Sequence, residues 1–110
     1  MYDALPDKIT IYRGCDRRVR QGRRRLSWTI YEGCAHWFAN RVDWTVGGEP
    51  VVYKGVIKKK DVALVFSGIE QEIVPFNAKA ISNIETLAFD QELANECTRK
   101  RGGGQLSEAA

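Results

Sequence analysis

Histidine is almost missing from this chain and cysteine is sparse: one histidine and three cysteines (Cys15, Cys34, Cys97) occur in 110 residues. The cysteines are odd in number, widely separated and without the paired spacing of a metal site, which argues against structural zinc and against a disulfide framework. No apolar run exceeds a handful of residues, far short of the length that spans a bilayer. The first ten residues, MYDALPDKIT, lack the basic stretch and apolar core of a secretory leader. No internal repeat or low-complexity segment is present. These absences set the expectation of a cytoplasmic protein, in the producing or a host cell, with no metal, no secretion signal and no membrane partner.

What is present fits a globular chain. Hydrophobic residues make up 44% and charged residues 28%, a balance that supports a folded core rather than disorder. The length suits one compact domain over residues 1–101, followed by GGGQLSEAA, residues 102–110, as a frayed tail. The formal net charge is only +3, but RGCDRRVRQGRRR places seven arginines between Arg13 and Arg25. Such a run is commonly a solvated loop. It also suits an anionic ligand, an acidic protein or nucleic acid, through Arg17, Arg18, Arg20, Arg23, Arg24 and Arg25.

Periodicity divides the chain into short elements. KITIYRG reads as a first strand, with Ile9, Ile11 and Arg13 on one face and Thr10 and Tyr12 on the other. RRLSWTI is extended and runs directly into a helix over Ile30 to Arg41, on whose face Tyr31, Cys34, Ala35, Phe38 and Val42 recur. Thr29, followed three residues later by Glu32, has the spacing of a capping box. After the VGGEP loop the period changes to two: PVVYKGVI, DVALVF, IEQEIVPF and ISNIETL read as strands, with Lys58 to Lys60 as a turn. Phe89, Leu93, Ala94 and Cys97 then mark a second helix. The sum is an α+β domain in which strands outnumber helices.

Three features carry chemistry. Arg13 ends the first strand, Ser27-Trp28-Thr29 precedes a helix, and Glu70 and Glu72 sit one residue apart in GIEQEIVPF. Two acids at that spacing share one face of a strand, where like charges repel. Each feature has an ordinary alternative: a solvated or ion-paired arginine, a helix cap, and an exposed edge.

Their order, however, resembles the Arg-Ser-Glu class of mono-ADP-ribosyltransferases, in particular the short bacterial and phage type. The resemblance rests on IYRG, LSWT, AHWFA and EQEIV and runs from Lys8 to Phe76. It implies a compact ADP-ribosyltransferase-like β-sandwich core, with one helix after the second strand and a C-terminal helix. It also implies an NAD-dependent transferase of the glycosyltransferase kind that modifies a protein, with arginine as acceptor. Such an enzyme would act as a toxin, a phage host-takeover factor or an anti-defence effector, with NAD hydrolysis as a side activity.

The same resemblance distributes roles. Glu72 corresponds to the catalytic glutamate, whose carboxylate is attractive chiefly in the oxocarbenium-like transition state. Glu70 corresponds to the acid that positions the acceptor. Arg13 would hold a phosphate of NAD, which its fork of donors fits, and Gly14 would let the backbone approach the nicotinamide amide. Ser27 would orient Glu72, and Trp28 and Thr29 complete the triplet, with Trp28 where a small hydroxyl residue is commoner. Phe38 and Arg41 fall where the cofactor-binding helix and the loop after it belong. Phe66 and Gly68 would meet the protein substrate. Two further readings stand beside this one: a nucleic-acid-binding module using the arginine run, and a catalytically inactive interaction module on the same fold.

Overall fold

The computed structural model describes residues 6–17, 28–41, 47–66 and 71–99, and every structural statement below concerns these. Six strands and two helices form in the order β1 (Lys8–Asp16), β2 (Trp28–Thr29), α1 (Glu32–Ala39), β3 (Pro50–Lys58), β4 (Val62–Phe66), β5 (Glu72–Pro75), β6 (Ser82–Ala88) and α2 (91–99). The strands pair antiparallel throughout, in the sheet order β4-β5-β2-β1-β3-β6. β1 and β3, nine residues each, pair from Lys8–Lys58 to Asp16–Pro50 without interruption and form the backbone of the sheet.

That sheet cannot be flat. β3 and β4 are separated in it by three strands, so a flat arrangement would hold them four spacings apart, about 19 Å. The chain between them is a single 3-10 turn, Lys59–Asp61, and such a turn advances only about 2 Å per residue. The sheet therefore curls, bringing β4 back toward the end of β3. The inner face of the curl carries Ile9, Ile11, Trp28, Val51, Tyr53, Ile57, Val62, Ile73 and Ile81 in one buried cluster. An α+β domain with strands in the majority is what the pattern predicts. A sandwich of two sheets is not what forms: the described strands make one continuous curled sheet, joined through the two-residue β2.

α1 rests on the outer face. Its Ala35 and Ala39 cluster with Val52, and Tyr12, Leu87 and Phe89 pack around them. The approach is close because Gly14 offers only a hydrogen. A methyl there would lie 1.7 Å from the Ala35 carbonyl oxygen and 2.8 Å from the Ala39 nitrogen, distances that only movement of the helix could relieve. The helix is shorter than its apolar repeat suggests, Glu32–Ala39 rather than Ile30 to Arg41. The capping box does not form either. Tyr31 occupies the N-cap position with no side-chain cap, and the Thr29 hydroxyl instead accepts the Tyr31 N–H at 3.1 Å, a local turn two residues long.

Gly14→Ala is expected to destabilise the fold by about 3 kcal/mol or more, the upper range for overpacking against rigid backbone. Urea denaturation followed by circular dichroism checks this. A loss under 1 kcal/mol would mean that α1 does not sit on β1 as described.

Candidate functional site

Residues directly opposite one another in antiparallel strands share a face. The register therefore lines up one side chain from each strand across the outer face: Glu85, Lys54, Tyr12, Thr29, Glu72 and Phe66, on β6, β3, β1, β2, β5 and β4. Neighbouring members of such a row stand roughly 5 Å apart. Thr29 is buried at 4% exposure, Tyr12 and Glu72 are half-buried, and Phe66 is exposed. Beside Phe66 on the same face of the edge strand lies Leu64, and the two are 52% and 54% exposed. Glu72 thus sits between a buried hydroxyl residue and an open apolar rim. A carboxylate in that position can accept hydrogen bonds from a hydroxyl-bearing ligand and attract a cation that arrives over the rim.

The chain enters this position under constraint. Gln71, immediately before Glu72, has φ of 47°, the left-handed region that costs a non-glycine residue about 1 kcal/mol. That turn sets the direction in which β5 begins, and hence where the Glu72 side chain leaves the backbone.

Other residues singled out by the sequence are distributed differently. Arg13 stands opposite Tyr53, so its side chain follows the parity of Ile9 and Ile11 onto the inner face, half-buried and away from Glu72. Trp28, opposite Ile73, belongs to the inner core and is a packing residue. The space over Gly14 is filled by α1 rather than left for a ligand. Phe38 and Arg41 lie on α1 and just past it, around Trp37: the Trp37 and Phe38 rings meet edge to face at 5.0 Å, and the Arg41 guanidinium stands 5.4 Å from the Trp37 ring. Arg17 approaches Glu49 at 3.9 Å with both side chains exposed. Ser27, Gly68, Glu70, Arg18, Arg20, Arg23, Arg24 and Arg25, together with residues 100–110, lie outside the described residues.

Sequence reasoning passed over Tyr12 and Lys54; Tyr12 alternates with Ile9 and Ile11 and shares the face of Thr29 because the register sets the two opposite one another. It also passed over His36. This histidine, 1% exposed, accepts the Asp90 N–H at Nδ1 (3.0 Å), and its Nε2 lies 3.2 Å from Glu32 Oε2. An Nδ1 that accepts leaves the proton on Nε2, which donates to the carboxylate. Asp90 in turn caps α2, its Oδ1 accepting the N–H groups of Glu92 (2.9 Å) and Leu93 (3.3 Å). His36 is therefore a structural clasp between the two helices, with the Phe89 ring 6.1 Å from it.

No family model, curated protein or solved structure matches the chain significantly. Among the described residues, no helix is long and apolar enough to cross a membrane, and no group of three or more histidine, cysteine, aspartate or glutamate side chains is placed to hold a metal ion.

Replacing His36 by alanine strands the Asp90 N–H and opens a cavity between the helices. A loss of about 2–3 kcal/mol is expected, from an unmet buried hydrogen bond together with lost packing. Chemical denaturation measures it; an unchanged midpoint would remove the clasp.

Proposed function

We propose that the chain is an NAD-dependent mono-ADP-ribosyltransferase that modifies a protein target, with arginine as the acceptor. The observation that carries this reading is the adjacency of β1, β2 and β5 in the sheet. The strand bearing Tyr12 and Arg13, the strand of Trp28 and Thr29 and the strand that opens with Glu72 are separated in sequence and neighbours in space. Thr29 opposite Glu72, with Phe66 beyond it, adds support: a hydroxyl residue, a carboxylate and an exposed aromatic stand in one line.

In this reading NAD supplies a glycosidic bond whose cleavage develops positive charge on the ribose. Glu72 holds the ribose hydroxyls and faces that charge, an interaction stronger in the transition state than in the ground state. Phe66 and Leu64 give the acceptor segment an apolar seat, and Glu70, two residues before Glu72 in sequence, draws in a guanidinium. The fit to NAD is partial. Glu72, Thr29 and Phe66 suit the reacting end, whereas Arg13 faces the inner side of the sheet and the surface over Gly14 is closed by α1. Their placement therefore lends no support to the part in NAD binding that the resemblance assigns to them.

Arg13 and Gly14 give the second reading its support, a catalytically inactive module that uses the same open face for binding. The two separate experimentally. With the full chain, nicotinamide release and transfer of labelled NAD to lysate proteins are expected to fall by 100-fold or more in Glu72→Gln, the usual scale for removing a transition-state charge partner. Equal signal from both proteins, or none from either, would end the catalytic claim. Calorimetric titration with NAD is expected to show binding; a flat titration of folded protein would favour the inactive module.

A further inference from the structure

Away from the sheet, the two helices meet through their smallest residues. At Gly33 on α1 an added methyl would lie 3.0 Å from the Leu93 carbonyl oxygen and 3.9 Å from the Cys97 Cβ, so the helices touch at backbone distance. The next residue, Cys34, and Cys97 on α2 then face each other with 3.2 Å between the sulfurs, the Cys97 thiol donating to the Cys34 sulfur. Neither is joined in a disulfide; the two are 3% and 2% exposed and 63 positions apart in sequence. Two residues along α1, the His36 bond to Asp90 fixes where α2 starts. The pair is thus held by two anchored backbones. A disulfide needs the sulfurs to close by only ~1 Å.

We infer that Cys34 and Cys97 are a thiol–disulfide site that takes a low-molecular-weight disulfide, such as oxidised glutathione, as its oxidant. The site is independent of the chemistry proposed at Glu72. One thiol, exposed when α2 opens locally, loses its proton and attacks a sulfur of the oxidant, expelling one glutathione thiolate and leaving a mixed disulfide. The second thiolate then attacks the protein sulfur of that mixed disulfide and expels the other glutathione. Two protein thiols become one disulfide, one oxidised glutathione becomes two reduced ones, and the two protons pass to the departing thiolates. The product staples α2 to α1 and closes a long loop, which restricts the unfolded chain.

The test equilibrates the full chain in glutathione buffers of graded redox ratio, with and without urea at the unfolding midpoint, so that burial cannot block the reaction. It is then quenched, alkylated and mapped by mass spectrometry. The expected product has lost two hydrogens, about 2 Da, in a linked peptide pair containing Cys34 and Cys97. Its melting temperature is higher by about 10 °C or more, and dithiothreitol reverses both changes. Cys97→Ala is expected to abolish the loss and the rise. Cys15→Ser, which removes the remaining thiol, is expected to retain them. Should Cys15→Ser fail to fold, the linked peptides of the wild-type chain read the pairing directly. A persistent glutathione adduct, a linkage to Cys15, or both thiols still alkylated in the most oxidising buffer would overturn the assignment.

Discussion

The seating of α1 on β1 at Gly14 is the contact on which the rest of the arrangement depends. A hydrogen at that position lets the Ala35 carbonyl and the Ala39 amide rest against the sheet; even one methyl would push them away. Because only Ile30 and Tyr31 separate β2 from α1, a helix anchored on β1 obliges β2 to lie beside β1 as well. Thr29 is then set opposite Tyr12 on one side and Glu72 on the other. The helix covers the outer face where Tyr12, Val52 and Leu87 lie, and leaves Leu64 and Phe66 exposed. One absent side chain thus decides both where the sheet is closed and where it is open.

Curling assigns the two faces different work. The inner face converges on itself, so its residues are aliphatic and aromatic, and Trp28 fills it from the middle of the hydroxyl triplet. The outer face, freed from that demand, holds the polar row. A carboxylate and a hydroxyl that are to meet on this sheet must share the outer parity, as Glu72 and Thr29 do. Arg13 has the inner parity, beside Tyr53. A guanidinium at the rim of an apolar interior is more readily understood as a group that shields the core with its aliphatic stem than as a partner of Glu72. That division favours a site made from β2, β5 and β4 over one reaching back to the arginine.

Much of this was legible in the sequence. Alternation marks β1 and β4 closely, and both helices fall where apolar residues recur at helical spacing. The parity of β1 was legible too, since Arg13 shares the face of Ile9 and Ile11; that Glu72 takes the opposite face came only with the strand register. The ends of α1 and its cap were not legible. Thr29 has the right spacing to Glu32 for a capping box, but β2 holds it in extended pairing with Tyr12 and Glu72, so its hydroxyl reaches only Tyr31. Strand pairing overrides a local motif here. The single sheet in place of a sandwich was hidden for a similar reason. Whether two ladders join depends on two paired residues of β2, too few to leave a periodic signal. The His36 clasp joins positions 54 apart, which no local pattern encodes.

The contact between α1 and α2 follows a different economy from the sheet. α2 buries Ala94 and Cys97, and Leu93 only in part, so little apolar area holds it in place. Small side chains contribute less than the large aliphatics of the inner core. Orientation must come from directed bonds, and His36 supplies one: its ring meets an acceptor's need at Glu32 and a donor's need at Asp90, which a purely apolar side chain could not do. A helix held this way has one well-defined pose but limited resistance to opening, and lies toward the low-stability end of the structure. The same features that bring two sulfurs face to face, close backbones and little bulk, are the ones that let the helix lift and expose them.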